Sequence, residues 1–201
     1  MVTKIKRTIC VLVCGLLFSV SAFSSDIKGS FVIGTGFSLG LLQPTLDGIG
    51  DTLLMGGRLH ADYAVSQWLS IGLETGYSTA KICDSDFAVG VVPILSRVAW
   101  HPFSLQNFDP YIAGKAGYGV GFWAQEGDDY NWTDPCGGFV WAIDLGVRYF
   151  FTKTFGIFLE AGWECQSFGW EHPGMKTPKW EDSANGRTYA ILGLSIKLGG
   201  N

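Results

Sequence analysis

The sequence predicts an all-β fold, an eight-stranded antiparallel up-and-down transmembrane β-barrel. Three observations predict it. Eight segments alternate apolar and polar residues, their charged residues fall on one parity only, and short and long connections alternate between them. Successive side chains of a strand point to opposite faces. One face therefore carries charged residues among small ones, and the other carries bulky apolar side chains. A barrel in lipid requires this arrangement, with polar groups inside and apolar groups outside.

The eight segments are defined by their alternation of side chains. In the first, phenylalanine, isoleucine and leucine alternate with glycine and serine, and in the third Ile71 and Leu73 alternate with Gly72 and Glu74. Pro93 lies near an end of the fourth, where a missing ladder donor is tolerated. In chain order the segments span 29–41, 54–65, 68–78, 90–101, 110–123, 139–150, 155–167 and 187–198.

The charges on the inward parity predict a network inside a narrow lumen. Basic and acidic residues are equal in number, and a buried charge without a partner costs several kcal/mol, so we expect them to pair with one another. In chain order the predicted lumen network contains Arg58, His60 and Asp62 in the second segment, Glu74 in the third, Arg97 in the fourth, Lys115 in the fifth, Asp144 and Arg148 in the sixth, Glu160 and Glu164 in the seventh, and Lys197 in the eighth, with Tyr189 beside them.

The connections alternate in length, as they do in barrels with short periplasmic turns and four longer extracellular loops. The short turns cover 64–67, 102–108 and 151–154, and the long loops cover 43–52, 79–88, 124–138 and 168–186. Aromatic residues near the short turns predict an interfacial girdle, made of Trp68, Trp100, Tyr111, Tyr149 and Phe155.

The first residues predict export. A basic start at Lys4, Lys6 and Arg7 precedes a short apolar core, and small residues then offer cleavage after Ala22 or Ser24. This is a secretory signal peptide, because the apolar core is too short for a spanning helix. The predicted division is a signal peptide over 1–24 and one barrel domain over 25–201.

A lipoprotein signal is the alternative to simple cleavage. Acylation would fall on Cys14, but the residue before it is Val13, where a small residue is preferred, and much of the apolar core lies beyond it.

Charge and cysteine usage exclude several classes of function. When the three basic residues of the signal peptide are left out, the chain has 11 lysines and arginines and 18 acidic residues, a net charge of −7. This acidic balance excludes a nucleic-acid partner. No cysteine or histidine spacing indicates a metal site, and we expect no cofactor. Cys83 and Cys136 lie in predicted loops on the same side and form a candidate disulfide, while Cys165 lies on the apolar parity.

Three stretches of the chain resemble small eight-stranded outer-membrane barrels of the OmpX, OmpW and opacity-protein type. They are residues 57–63, 68–77 and 110–119, whose glycines and aromatics alternate with lumen charges. The last strand is similar to the terminal signal read by the barrel-assembly machinery, although it ends on Leu198 and a short tail rather than on an aromatic. The resemblance implies a monomer in the outer membrane of a diderm bacterium, with lipid and that machinery as partners.

Two functions are compatible with these features. The first is a surface-exposed structural or interaction role through acidic, tryptophan-rich loops that would bind an extracellular ligand. The alternative, implied by the resemblance to OmpW, is a narrow porin-like channel for small or hydrophobic molecules. None of the three histidines indicates a catalytic centre, so we expect no enzyme. The predicted loop-binding residues are Asp128, Asp129, Trp132, Asp134, Trp170 and Trp180.

Overall fold

The computed structural model describes residues 27–43, 52–81, 87–103, 105, 107–125, 131–132, 136–168 and 185–199. Within these ranges no helix is both long and apolar enough to cross a membrane. The strands are β1 (Phe31–Gln43), β2 (Thr52–Ala64), β3 (Leu69–Lys81), β4 (Phe87–Trp100), β5 (Phe108–Gln125), β6 (Asn131–Trp132), β7 (Cys136–Phe150), β8 (Phe155–Phe168) and β9 (Asn185–Leu198).

The eight long strands close into a barrel. Each pairs antiparallel with the next in the sequence, β6 only extends the pairing of β5, and β1 pairs with β9 to close the ring. The predicted fold class is therefore confirmed. Most strands reach further toward the long connections than predicted, and β5 continues to Gln125, because a backbone ladder can extend beyond the residues whose side chains alternate.

The outer surface of the barrel is apolar. Leu73 and Leu145 are each 64% exposed and Leu192 is 62% exposed, and they belong to an apolar surface that extends over the long strands, which soluble monomers rarely expose. Comparable side chains occur on every long strand. They include Phe37, Leu59, Tyr63, Ile94, Val98, Ile112, Tyr118, Ile143, Leu159, Leu194 and Ile196. Such a surface fits the hydrocarbon of a bilayer.

Residues 27–30 fold back against the short-turn end of the barrel. The amide of Gly29 donates to the carbonyl oxygen of Ala64 at 2.8 Å, and the amide of Ala64 donates to that of Ser30 at 2.9 Å. Gly29 has a φ of 77°, a left-handed conformation that glycine adopts without strain. Ile27 is thereby held, largely buried, beside this mouth of the lumen.

Candidate functional site in the barrel lumen

The barrel interior contains a continuous network of charged side chains. Strand alternation turns them inward, and each of the predicted charged residues except Lys197 is no more than 3% exposed. The network has three layers along the barrel axis, which we call the central, loop-side and turn-side clusters.

The central cluster contains Glu74, Arg97, Lys115, Asp144 and Glu160. Arg97 Nη1 lies 2.7 Å from Glu160 Oε1 and 3.2 Å from Glu74 Oε2. Lys115 Nζ lies 2.9 Å from Glu160 Oε1 and also contacts Glu74 and Asp144. All five side chains have no exposed surface. Arg97 and Lys115 each reach Glu160 on β8, with which neither β4 nor β5 shares a ladder, so these two pairs tie separate walls of the barrel together.

The loop-side cluster contains Arg58, Glu164 and Arg187. Arg58 Nη2 lies 3.1 Å and Arg187 Nη2 lies 2.9 Å from the same oxygen, Glu164 Oε2. Arg58 Nη1 also reaches Glu74 at 3.4 Å, which links this cluster to the central one. The Gln166 amide donates to the other oxygen of Glu164. Arg187 was not among the predicted network residues, although it shares the inward parity of Tyr189.

The turn-side cluster contains Asp62, His101, Asp109 and Arg148. Arg148 Nη2 donates to Asp62, and its Nη1 lies 3.6 Å from Asp109 Oδ2. Asp62 Oδ1 lies 3.2 Å from Arg97 Nε, which connects the cluster to the centre. His101 and Asp109 are buried and were not among the predicted network residues. His101 shares the inward parity of Arg97 at the end of the fourth predicted segment, whereas Asp109 lies outside the predicted segments.

Two tyrosines lie among these charges. The Tyr111 hydroxyl donates to Glu160 Oε2 at 3.2 Å, and the ring centroid is 5.2 Å from Arg97 Cζ and 4.4 Å from Arg148 Cζ. Tyr189 donates to Asp144, with Arg187 Cζ 5.3 Å from its ring centroid. These are cation–π arrangements. They let the two aromatic rings pack inside the network while the arginines and carboxylates around them stay in contact.

The placement of Tyr111 corrects one prediction. It was expected in the interfacial girdle, yet it is 2% exposed and lies inside the lumen. Its position follows from strand parity, because Ile112 beside it points outward. The other predicted girdle residues, Trp68, Trp100, Tyr149 and Phe155, are exposed on the outer face near the short turns.

His60 lies close to Glu74 and Glu160, with ligand atoms of the three residues within 4.8 Å of one another. Its ring packs edge-on against Phe158, with centroids 4.9 Å apart. Both carboxylates already contact Arg97 and Lys115. A metal cation there would compete with these fixed positive charges, so the residues fit an ion-pair network better than a metal site.

Lys197 lies at the short-turn mouth rather than in a cluster. It is half-buried, and its Nζ lies 5.0 Å from the centroid of the Phe150 ring. Within the described residues, the lumen contains five buried cations and six buried carboxylates, so Lys197 supplies the sixth positive charge at the edge of the set.

Side chains close the lumen within the described ranges. Inward glycines leave space that neighbours fill, since a Cβ on Gly34 would overlap the His60 ring and one on Gly162 would overlap the Asp144 carboxylate. Leu95, on the inward parity of β4, is also fully buried. A water-filled channel would leave lining side chains exposed, whereas those of the central cluster have no exposed surface.

The predicted loop-binding residues fall largely outside the described ranges. Asp128, Asp129, Asp134, Trp170 and Trp180 lie there, as does Cys83. Trp132 belongs to β6 and Cys136 begins β7, but their side chains also lie outside the described part of the chain. The candidate disulfide therefore stays a prediction. Cys165 is a free, buried thiol.

A family model for the outer membrane protein β-barrel domain matches residues 10–172 of the chain. The match covers every strand from β1 to β8 and thus most of the barrel. No curated protein sequence matches the chain.

Several solved structures share the fold. Ail, the attachment invasion locus protein of Yersinia pestis, has a TM-score of 0.54 and 14% identity over 85% of this chain and 99% of its own. Neisserial surface protein A has a TM-score of 0.53 and 16% identity over 85% and 99%. OprG of Pseudomonas aeruginosa has a TM-score of 0.51 and 12% identity over 89% and 100%. At these identities the likeness concerns the fold alone.

Proposed function

Since this chain belongs to the outer membrane protein β-barrel domain family, we propose that it is a surface-exposed interaction protein whose barrel is a closed scaffold. Ligand contacts would be made by its long connections at one end. The observation that carries the proposal is the closure of the lumen by the central cluster, whose five side chains have no exposed surface.

A closed lumen shifts the working surface to the ends of the barrel. The outer wall is apolar and suits lipid, and the interior is filled by ion pairs. The short-turn end connects strands by only a few residues, for example between Ala64 and Leu69. The long connections at the other end remain as the part of the chain with enough length to form a contact surface.

The composition of the long connections suggests the chemistry of a partner. Asp128, Asp129 and Asp134 lie close in sequence to Trp132, and Trp170 and Trp180 lie in the last long connection. Tryptophan is frequent at the energetic centres of interfaces, and clustered carboxylates favour a basic partner surface. We therefore expect an extracellular protein with a basic, partly apolar face. One barrel of the same fold, Ail, is named for attachment and invasion.

Cell adhesion tests the proposal. Bacteria producing the protein would be applied to surfaces coated with purified extracellular matrix proteins, with heparin as a polyanionic coating. We expect adhesion to at least one basic protein coating, weaker at high salt because screening reduces the attraction, and none to heparin.

Two loop variants separate loop binding from other adhesion. Replacing Asp128, Asp129 and Asp134 by asparagine, or Trp170 and Trp180 by alanine, should abolish adhesion while the barrel still shows its heat-dependent gel shift. Trp68→Ala is the matched control, because Trp68 is exposed at the short-turn end. Adhesion that survives both loop variants would contradict the proposal.

The competing proposal is a narrow conduit for small or hydrophobic solutes. It predicts discrete conductance steps in planar bilayers, or solute uptake that changes when lumen residues change. We expect electrically silent bilayers, because a solute would have to separate the ion pairs of the central cluster. Regular steps from the wild-type protein would favour the conduit instead.

Location and assembly complete the proposal. We expect a cleaved signal peptide over 1–24, insertion by the barrel-assembly machinery and a monomer in the outer membrane. The short turns would then face the periplasm and the long connections the exterior. Surface proteolysis of intact cells tests this orientation, since only the long connections should be cut.

A further inference from the structure

Ser70, His101 and Asp109 form a hydrogen-bonded chain at the short-turn end of the lumen. Ser70 Oγ lies 3.0 Å from His101 Nε2, and His101 Nδ1 lies 2.7 Å from Asp109 Oδ1. Ser70 and Asp109 lie near the starts of β3 and β5, His101 directly follows β4, and each of the three is at most 4% exposed. We call this chain the mouth triad.

Elementary chemistry assigns the protons in the mouth triad. An ionised carboxylate can only accept, so the His101 nitrogen facing Asp109 must be the donor. In the neutral ring, Nε2 is then an acceptor, and the Ser70 hydroxyl donates to it. Asp109 Oδ2 lies 3.6 Å from Arg148 Nη1, which orients the carboxylate. This is the proton order of a serine nucleophile activated by a histidine base and an orienting aspartate.

The mouth triad lines a small cavity at this end of the lumen, whose other walls carry both apolar and charged side chains. Ile27, Val32, Ala64 and Phe150 supply apolar surface, Arg148 and Lys197 supply positive charge, and Asp62 supplies a carboxylate that is paired with Arg148. Arg148 Nε is buried and makes no hydrogen bond within the described part of the chain. Because Arg148 lines the same cavity as Ser70, its cationic N–H groups are the candidate donors to the negative oxygen that forms when a carbonyl is attacked.

We propose that the mouth triad is a nucleophilic hydrolase site for short acyl esters that enter from the short-turn end. Ser70 Oγ attacks the ester carbonyl carbon while its proton passes to His101 Nε2. The tetrahedral adduct collapses, the bond to the alkoxy oxygen breaks, and His101 returns the proton to the departing alcohol. Water then attacks the acyl-serine with its proton taken by His101, the acyl–oxygen bond breaks, Ser70 regains its proton and the carboxylic acid leaves.

Two other lumen serines give an internal comparison. Ser78 and Ser195 are equally buried, but their Oγ atoms make no hydrogen bond within the described residues. Without an adjacent base, a serine hydroxyl is a weak nucleophile. The site is independent of the surface role proposed above, because it lies at the other end of the barrel, so either proposal can fail alone.

Covalent labelling tests the site directly. The full chain, folded in detergent micelles and verified by its heat-dependent gel shift, would be treated with a fluorophosphonate and digested for mass spectrometry. We expect one adduct, on Ser70, and none on Ser78 or Ser195. His101→Gln should slow labelling, and hydrolysis of p-nitrophenyl acetate, by 100-fold or more. Asp109→Asn should also slow both, whereas Ser195→Ala should leave them unchanged.

A further variant separates restricted access from lack of reactivity. Ile27→Ala removes apolar bulk from the cavity wall and should speed labelling of Ser70. Labelling of this variant on Ser70 alone, dependent on His101, supports the proposal even if the wild type reacts slowly. The proposal is overturned if neither protein is labelled on Ser70, or if labelling persists unchanged in His101→Gln. Since adducts are mapped on proteins that retain Ser70, the experiment does not depend on the folding of Ser70→Ala.

Discussion

Arg97 and Glu160 form a 2.7 Å ion pair across the lumen, between strands β4 and β8, which share no ladder hydrogen bonds. The pair is completely buried. Its two partners are separated along the ring by β5 and β7, so the pair joins walls that the sheet connects only indirectly.

Glu160→Gln should destabilise the barrel strongly. The change leaves Arg97 and Lys115 as buried cations with one fewer counter-charge, and breaking a buried pair costs about 3–5 kcal/mol. Urea unfolding in lipid vesicles, followed by tryptophan fluorescence, measures the loss. Lys153→Gln, in an exposed turn, is the control and should change stability by less than about 0.5 kcal/mol. A loss below about 1 kcal/mol for Glu160→Gln would contradict the role of the pair.

Gly162→Ala and Gly114→Ala should differ although both add one methyl group to a strand. A Cβ at 162 would overlap the Asp144 carboxylate and the backbone of Ile143, whereas a Cβ at 114 meets nothing within 4 Å. Overpacking costs about 1–3 kcal/mol, so Gly162→Ala should unfold at lower urea. Gly114→Ala should be neutral or slightly stabilising. Equal effects would mean that the lumen can rearrange to accept the extra methyl group.

Arginine on the outer wall should be costly in proportion to its depth. Leu145 is exposed on the outer face in the middle of β7, and Tyr149 is exposed on the same face near the short turn. Leu145→Arg should cost about 2–4 kcal/mol in a bilayer, and Tyr149→Arg about 0–1 kcal/mol. Reversible unfolding from vesicles gives both values. If the two costs were equal, the placement of the bilayer around these residues would be wrong.

Tyr111 should contribute through both its hydroxyl and its ring. Tyr111→Phe removes the hydrogen bond to Glu160 and should cost about 0.5–1.5 kcal/mol. Tyr111→Leu also removes the ring beside Arg97 and Arg148 and should cost more. The same unfolding experiment compares them. A phenylalanine variant as unstable as the leucine variant would assign the whole effect to the hydroxyl.

Most of the barrel could be predicted because strand alternation is a local property. Each inward charge is identified from its sequence neighbours. Val98 is apolar and faces outward, so Arg97 next to it must face the lumen. The same rule would have placed Tyr111 inside, but aromatic residues near turns also favour the membrane interface, and that general tendency gave the wrong answer.

The partners of each lumen charge could not be predicted. Arg58 pairs with Glu164 across the lumen as well as with Glu74 on the adjacent strand, because strand tilt and stagger decide which side chains meet inside a barrel. His101 reaches Ser70 and Asp109 only through the register of β3, β4 and β5. No local pattern in the sequence encodes those distances.

Ring closure between β1 and β9 has a kinetic consequence. Phe31 pairs with Leu198 and Leu42 with Arg187, so the last ladder joins segments from nearly opposite ends of the chain. Such remote pairings make folding slow, because the entropy of ordering the chain is lost before they form. Until β9 arrives, β1 and β8 remain open edges able to pair with other chains. The barrel therefore cannot close until the last strand has been made, and the open edges of β1 and β8 must be protected from other chains until β9 is in place.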